Sequence, residues 1–168
     1  MGKNEMRFAM KKFSVTELLI FIVSAELVGA VSALIAGDFG GLYSQLIQPP
    51  FAPPGFVFPV VWTILYALMG WGAYMIWRSE SDFGGKRSTA LGIYIAQLSV
   101  NFLWSIVFFR FRLLLAAAVL AALLAGLVLA MVISFRKVSR LASLINLPYL
   151  LWSIFATYLA FGNWWLNQ

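Results

Sequence analysis

Residues 48–77, QPPFAPPGFVFPVVWTILYALMGWGAYMIW, decide how this chain can fold. The first part of the segment is incompatible with a helix interior because four of six residues are proline, namely Pro49, Pro50, Pro53 and Pro54. An apolar run of membrane-spanning length follows, and one helical face of it carries aromatic and small residues: Trp62, Tyr66, Met69, Ala73 and Trp77. A rigid segment that leads into such a helix indicates a site where the helix begins.

The composition indicates an integral membrane protein. Apolar residues make up 62% of the 168 residues and charged residues only 11%, whereas a soluble domain carries about a quarter. Cysteine and histidine are both absent, which excludes disulfides, thiolate chemistry, Cys/His metal sites and triads with an imidazole base. The net charge of +6 comes from basic residues at the ends of apolar runs, which indicates topology signals rather than nucleic-acid binding.

Five apolar runs reach the roughly 20 residues that cross a bilayer. The connections between them are too short to hold a soluble domain, and the runs do not alternate apolar and polar residues as barrel strands do. We therefore predict an all-α integral membrane protein, with a single domain over 1–168 built as a bundle of five transmembrane helices. The predicted helices cover 15–36, 55–77, 89–109, 113–135 and 141–165.

The basic residues also predict the orientation of the bundle. They concentrate before helix one and in the second and fourth loops, whereas the first loop and the C-terminus have none and the third loop has Arg110 and Arg112. The positive-inside rule then places the N-terminus in the cytoplasm, and the C-terminus and the proline-rich loop outside. The start of the chain lacks a small-residue cleavage site, so we expect helix one to be retained.

Small residues recur at four-residue spacing and allow helix backbones to approach closely in lipid. Helix three contributes Gly92 and Ala96, and the longer stripes are Ala25, Gly29, Ala33 and Gly37 on helix one and Ala118, Ala122, Gly126 and Ala130 on helix four. Two interpretations stay open: the stripes pack helices within one chain, or they form a homodimer face.

Helix one carries two glutamates. Glu17 lies near its end, where a carboxylate can reach the membrane interface. Glu26 lies near mid-span, where an ionisable group is costly and indicates a functional site. The alternative is a protonated carboxyl that is hydrogen-bonded to a neighbouring helix.

Helices three and five each place aromatic and amide side chains on one face. Helix three carries Gln97, Asn101, Trp104 and Phe108, and helix five carries Tyr149, Trp152, Ala156, Leu159 and Asn163. Together with helix two, these faces either fill a core or line a cavity for a large, flat, mostly apolar ligand. In the second case indoles stack on the ligand while Gln97 and Asn101 orient its polar edge.

Three segments, PPFAPPGFVFPVVWTILYALMG, AQLSVNFLWSIVFF and LPYLLWSIFATYLA, resemble in this order the signature segments of the TspO/MBR family. The family comprises tryptophan-rich sensory proteins and translocator proteins, and the resemblance covers essentially the whole chain. It implies a five-helix bundle, often dimeric, with a pocket closed by the first loop. The expected ligand is a porphyrin, such as protoporphyrin IX or a heme-like molecule, with no metal site and no obligatory cofactor.

The resemblance also implies site residues. Trp62 and Trp152 match the family's pocket tryptophans, Asn101 matches an asparagine of its third-helix motif, and Ala156 matches a small residue. Together with neighbours on the same faces, the predicted ligand-binding set is Trp62, Tyr66, Gln97, Asn101, Trp104, Trp152 and Ala156. The predicted lid residues are Tyr43, Pro49, Phe51, Pro53 and Pro54.

The first loop departs from the family pattern. Leu42 replaces one member of an aromatic pair, Gln48 replaces a lysine and Phe51 replaces a tryptophan, so the lid is expected to close on a different ligand. Residues after Ala156 contain no Lys or Arg, and the cholesterol motif of animal members needs one after a tyrosine. Cholesterol binding is therefore not expected.

Three functions compete. The first is a receptor or transport-type membrane protein that binds porphyrins, with the bilayer and the porphyrin as its partners and a homodimer as a further option. The second is light- and oxygen-dependent porphyrin degradation, in which Trp62 or Trp152 would be the redox partner and no acid–base residue is needed. The third is a small ion-coupled transporter with Glu26 as its proton or cation site.

Overall fold

A computed structural model describes residues 13–37, 39–79 and 83–168, mainly as α-helix. Five helical spans are long and apolar enough to cross a bilayer, which confirms the predicted all-α bundle of five transmembrane helices. The predicted orientation depends in part on the N-terminal basic residues, which lie outside the described residues: Lys3, Arg7, Lys11 and Lys12.

The helical spans follow the predicted order along the chain, with an additional short helix in the first loop. α1 is Val15–Ala36, α2 in the first loop is Phe39–Gln45, and α3 is Val57–Trp77. α4 is Lys86–Ser105 and continues as a π-helical turn, Ile106–Arg110, before α5, Leu114–Arg136. The last span is α6, Arg140–Ile145, followed by α7, Leu147–Leu166.

Several helix limits differ from the prediction for local reasons. α3 begins two residues later than predicted because Gly55 lies in turns in which the amide of Val57 donates to Pro54 O at 3.0 Å. α4 begins three residues earlier, after Gly84 and Gly85 have adopted positive φ angles that favour glycine. The last span is interrupted before Pro148, which has no backbone N–H to donate to the preceding helical turn.

The helices form a closed ring. α1 packs against α3 and α4, α5 packs against α4 and α7, and α3 completes the ring against α6 and α7. The order around the bundle is therefore α1, α3, α6–α7, α5 and α4. The first and second spans meet as an antiparallel pair, and this pair borders the site described below.

The half of the bundle near Arg78 is filled by side chains. Met69, Ala73 and Ile76 of α3 are completely buried there together with residues of α1 and α5. Gly70 lets α1 come close, since a Cβ at that position would lie 2.6 Å from the Ile22 Cα. At Gly70 the two helices therefore leave no room for an added methyl group.

An ion pair joins α1 and α3 at the same end. Arg78 Nη1 donates to Glu17 Oε2 at 2.5 Å, and the Arg78 side chain is 6% exposed against 45% for Glu17. The guanidinium also lies over the Tyr74 ring, 5.6 Å from its centroid. Glu17 was predicted only to reach the interface, and its partner lies 61 residues further along the chain.

The small-residue stripes serve packing within the chain at some positions only. Ala25 is fully buried, and Gly29 faces Tyr66 so closely that a Cβ would collide with its ring. Ala118 on α5 is also fully buried. The exposed members are Gly37, Gly92, Ala96, Ala122 and Gly126, and a homodimer through the stripes stays a prediction.

Candidate functional site

The half of the bundle beneath the first loop encloses a cavity of about 520 Å³. Its wall combines side chains from α1, α3, α4 with its π-helical turn, and α7, and Tyr43 of the first loop closes it. The described lining includes Glu26, Gly29, Ala33, Phe58, Trp62, Thr63, Tyr66, Asn101, Trp104, Ser105, Phe108, Phe109, Ala156, Leu159 and Asn163. The cavity is therefore aromatic on several sides and bordered by small residues elsewhere.

Aromatic rings form two walls of the cavity. Trp62 and Tyr66, one turn apart on α3, have ring centroids 5.7 Å apart. Trp104 and Phe108 stack at 5.3 Å with an interplanar angle of 22°. Trp104 is held in place because its indole N–H donates to Ala117 O at 3.0 Å. Such rings offer flat apolar faces to a ligand.

The wall formed by α1 carries small residues. Gly29, Ala30 and Ala33 line the cavity one turn or less apart, and Glu26 lies on the same face. Gly29 accommodates the Tyr66 ring, with which a Cβ would collide, and the short side chains of Ala30 and Ala33 leave space in the cavity. α1 therefore borders the cavity with small side chains and contributes one carboxyl group, that of Glu26.

A buried amide and phenol network supports the cavity wall. Tyr149, which is fully buried, donates through its hydroxyl to Gln97 Oε1 at 2.7 Å. Asn101 Nδ2 donates to the same Tyr149 hydroxyl at 3.3 Å, and Gln97 Nε2 lies 3.6 Å from Met69 Sδ. Asn101 lines the cavity, whereas Gln97 lies behind the wall and orients Tyr149.

Trp152 lies beside the cavity rather than in its wall. Its ring centroid is 6.0 Å from that of Phe58, which does line the cavity, and 5.6 Å from that of Phe155. The indole Nε1 is buried and has no hydrogen-bond partner in the described part of the chain. Ala156, one turn further along α7, reaches the lining.

Of the five predicted lid residues, Tyr43 reaches the cavity. Its hydroxyl donates to Pro53 O at 2.8 Å, and its ring lies 5.0 Å from that of Phe58. Burial raises the pKa of the Tyr43 phenol, so this group remains a donor. Pro49, Pro53 and Pro54 shape the loop without lining the cavity, and Phe51 is 89% exposed with φ +64°.

The first loop is anchored to the end of α7. Asn167 forms a two-way pair with Ile47: the Ile47 amide donates to Asn167 Oδ1 at 2.9 Å, and Asn167 Nδ2 donates to Ile47 O at 3.0 Å. Tyr158 donates to Pro50 O at 2.9 Å, and Pro49 packs on Gly162. Sequence reasoning missed this anchor, because Ile47 and Asn167 lie 120 residues apart.

Other lining residues also escaped the sequence analysis. Phe58 lies one helical turn before Trp62 on α3. Extending the predicted aromatic stripe by one turn towards the prolines would have included it. Phe109 also lines the cavity at the π-helical turn, next to Phe108, which the predicted helix-three face already included. Within the described residues, no group of His, Cys, Asp or Glu could hold a metal ion.

The chain is similar to known membrane proteins over most of its length. The TspO/MBR family profile matches residues 19–166. The chain belongs to the TspO/MBR family. It is 35% identical over 134 residues to a translocator protein of sheep (Ovis aries), which covers 80% of this chain and 79% of the relative.

Microbial relatives of this TspO/MBR protein match over a larger share of their length. The chain is 35% identical over 153 residues to the tryptophan-rich protein TspO of Archaeoglobus fulgidus, covering 84% of this chain and 97% of that one. It is 32% identical over 149 residues to a tryptophan-rich sensory protein of Cereibacter sphaeroides, covering 89% and 90%. The chain is thus a multi-pass integral membrane protein of the TspO/MBR family.

Proposed function

We propose that this protein binds a porphyrin, or a similarly flat and mostly apolar tetrapyrrole, inside the bundle. The observation that carries the proposal is a cavity of about 520 Å³ whose walls present the rings of Trp62, Tyr66 and Trp104. This volume is typical of sites for small organic ligands, and aromatic walls suit a flat ring system. The ligand would act as the signal or cargo of a receptor or transport-type membrane protein.

Polar groups around the cavity would orient the ligand. Asn101 uses its Nδ2 for Tyr149, which leaves its Oδ1 as an acceptor for a ligand donor. The buried Trp152 indole N–H has no partner in the described residues, so a small movement of Phe58 would let it donate to a ligand acceptor. Buried polar groups of this kind are normally hydrogen-bonded, which supports a ligand as the missing partner.

The proposed orientation places the lid outside the cell. The end of the bundle opposite the lid carries Arg78, Arg87 and a further basic group on the α5–α6 connection, Arg136, Lys137 and Arg140. Lysine and arginine favour the cytoplasmic side. A ligand would therefore reach the cavity from the outer half of the membrane or through the lid.

The first test is a titration of the purified, detergent-solubilised protein with protoporphyrin IX in the dark, followed by Trp fluorescence and porphyrin absorption. Saturable quenching is expected, with affinity reduced about tenfold by Trp62→Phe through lost stacking and contact area. The matched control is Trp77→Phe on the same helix, because Trp77 lies at the opposite end of the bundle and is exposed. Equal affinity of both variants, or quenching without saturation, would contradict the proposed site.

Light-dependent degradation is the second candidate, favoured by the position of the Trp62 indole in the cavity wall. Bound porphyrin would supply the excited state, dioxygen would be the oxidant, and the indole would be the redox partner. Illumination of the complex in air should then give a new absorbing product that is absent under nitrogen. The same product from porphyrin and free tryptophan at equal rate would exclude a role for the protein.

A further inference from the structure

Glu26 is a carboxyl group in the middle of a membrane-spanning helix, and no described residue pairs with it. It is half-buried near the centre of α1 and lines the cavity. Among the described residues it takes part in no hydrogen bond or ion pair, and the ion pair of α1 uses Glu17, about 13 Å away along the helix. Ionisable groups at this depth are costly unless something pairs with them.

The surroundings of Glu26 provide no positive charge. Around the cavity, α3 contributes Thr63 and the Tyr66 phenol, and α4 contributes the Asn101 amide and the Ser105 hydroxyl. No lysine or arginine is among the described residues that line the cavity. The site therefore contains one acidic group that no described residue neutralises, in a mostly apolar and aromatic space.

Glu26 also lies beside the edge of the cavity. Ala30 on α1, and Pro59 and Thr63 on α3, line the cavity and are exposed at the same time. The antiparallel contact of Gly29 with Tyr66 places these residues at neighbouring levels of the two helices. A flat ligand between the aromatic walls would thus extend a polar arm towards this edge and past the Glu26 carboxyl.

We propose that Glu26 ranks flat tetrapyrrole-like ligands by the charge of their polar arms, so that a positively charged nitrogen binds more tightly than a neutral arm and a carboxylate binds less tightly. A cationic arm would form an ion pair with Glu26 in a poorly solvated environment, where unit charges interact more strongly than in water. A carboxylate arm would meet a like charge with no basic residue to offset it. This inference rests on the proposed binding of a flat ligand in the cavity and names the ligand class more narrowly.

The test uses three ligands with the same ring and different arms. They are protoporphyrin IX with two carboxylate arms, its neutral dimethyl ester, and a bis-amide with two dimethylaminopropyl arms that are protonated at neutral pH. For the natural chain we expect affinity to rise from the diacid to the ester to the amine, by on the order of tenfold at each step. In Glu26→Gln the diacid should gain about tenfold and the amine should lose about tenfold, with the ester unchanged.

Two further variants complete the design. Ala30→Lys places a cation one turn from an intact Glu26 on an exposed position, so it should give the same flattened ranking as Glu26→Gln. Glu17→Gln removes the same charge from the same helix outside the cavity and should keep the natural ranking. Unfolding temperatures measured for every variant show that the comparison is made between folded proteins.

The outcomes separate the two proposals. If the ester binds with saturation and Glu26→Gln leaves the ranking of the three ligands unchanged, the role of Glu26 is overturned while the binding site stands. An identical change of ranking in Glu17→Gln would overturn it as well, since net charge alone would then be responsible. If the ester shows no saturable binding to the natural chain, the proposed function and this inference both fail.

Discussion

Helix α3 passes through two halves of the bundle that use their space in opposite ways. Near Arg78 its residues Met69 and Ala73 are completely enclosed by neighbouring side chains. Near the lid, Trp62 and Tyr66 carry large rings, whereas the residues of α1 that face the cavity there include glycine and alanine instead of large side chains. The cavity therefore depends on the filled half near Arg78, because helices that pack tightly at one end of the bundle can lie further apart at the other end.

The largest effect on stability is expected in the filled half near Arg78, where α1 and α3 are in close contact. In Gly70→Ala, the new Cβ would lie 2.6 Å from the Ile22 Cα and 2.7 Å from Phe21 O, both backbone atoms. Separating α1 from α3 should cost about 3 kcal/mol of unfolding free energy, measured by denaturant unfolding in detergent. The control is Gly126→Ala, where nothing lies within 4 Å, and an equal loss there would refute the contrast.

The next effect concerns the network between the halves. Tyr149→Phe removes the hydroxyl that donates to Gln97 and leaves the buried Gln97 Oε1 without a donor, which should cost about 2 kcal/mol. Tyr158→Phe is the matched control, because its hydroxyl donates to Pro50 O at an exposed position and should cost clearly less. If both variants unfold at the same denaturant concentration, the network does not support the bundle.

Filling the cavity should lower porphyrin affinity without affecting folding. Ala156→Leu adds apolar atoms to the cavity wall, so porphyrin affinity should fall at least about tenfold, equivalent to about 1.4 kcal/mol. The unfolding free energy should change by less than about 1 kcal/mol, since volume is available. Titration and unfolding of the same preparation check both parts, and a strongly destabilised variant would mean that the cavity does not have the space described.

The smallest effect is expected at the lid. Asn167→Ala removes two exposed hydrogen bonds to Ile47 and one part-buried bond to Asn163 O, so stability should fall by about 1 kcal/mol. Ligand dissociation should nevertheless become several times faster, as measured by stopped-flow fluorescence. Gln168→Ala serves as control, and unchanged dissociation in both variants would show that this anchor does not hold the lid.

Much of the fold could be predicted because lipid imposes simple rules. Twenty apolar residues must form a helix, and the helical period on α3 brings Trp62 and Tyr66 to one face, where both line the cavity. The same period brings Asn101 and Trp104 to the cavity, and their role in ligand binding stays a prediction. Local patterning therefore sufficed wherever one helix alone determines which side a residue faces.

The remaining features depend on contacts between distant parts of the chain. Gln97 shares a helical face with Asn101 but lies behind the wall, where it accepts a hydrogen bond from Tyr149, 52 residues away. Trp152 is separated from the cavity by Phe58, which no spacing on α7 could reveal. The π-helical turn changes the period at the end of α4, so a regular helical pattern that includes Phe108 does not show that Phe109 lines the cavity as well.

The anchor between Asn167 and Ile47 has a practical consequence for anyone who handles this protein. An affinity tag or fluorescent fusion joined directly after Gln168 would pull on the residue next to Asn167, whose side chain holds the first loop through both its amide oxygen and its amide nitrogen. A tag at that position would change the rate of ligand exchange. A dye placed there would report when the first loop detaches from α7. Purification handles therefore belong at the other terminus or behind a cleavable spacer.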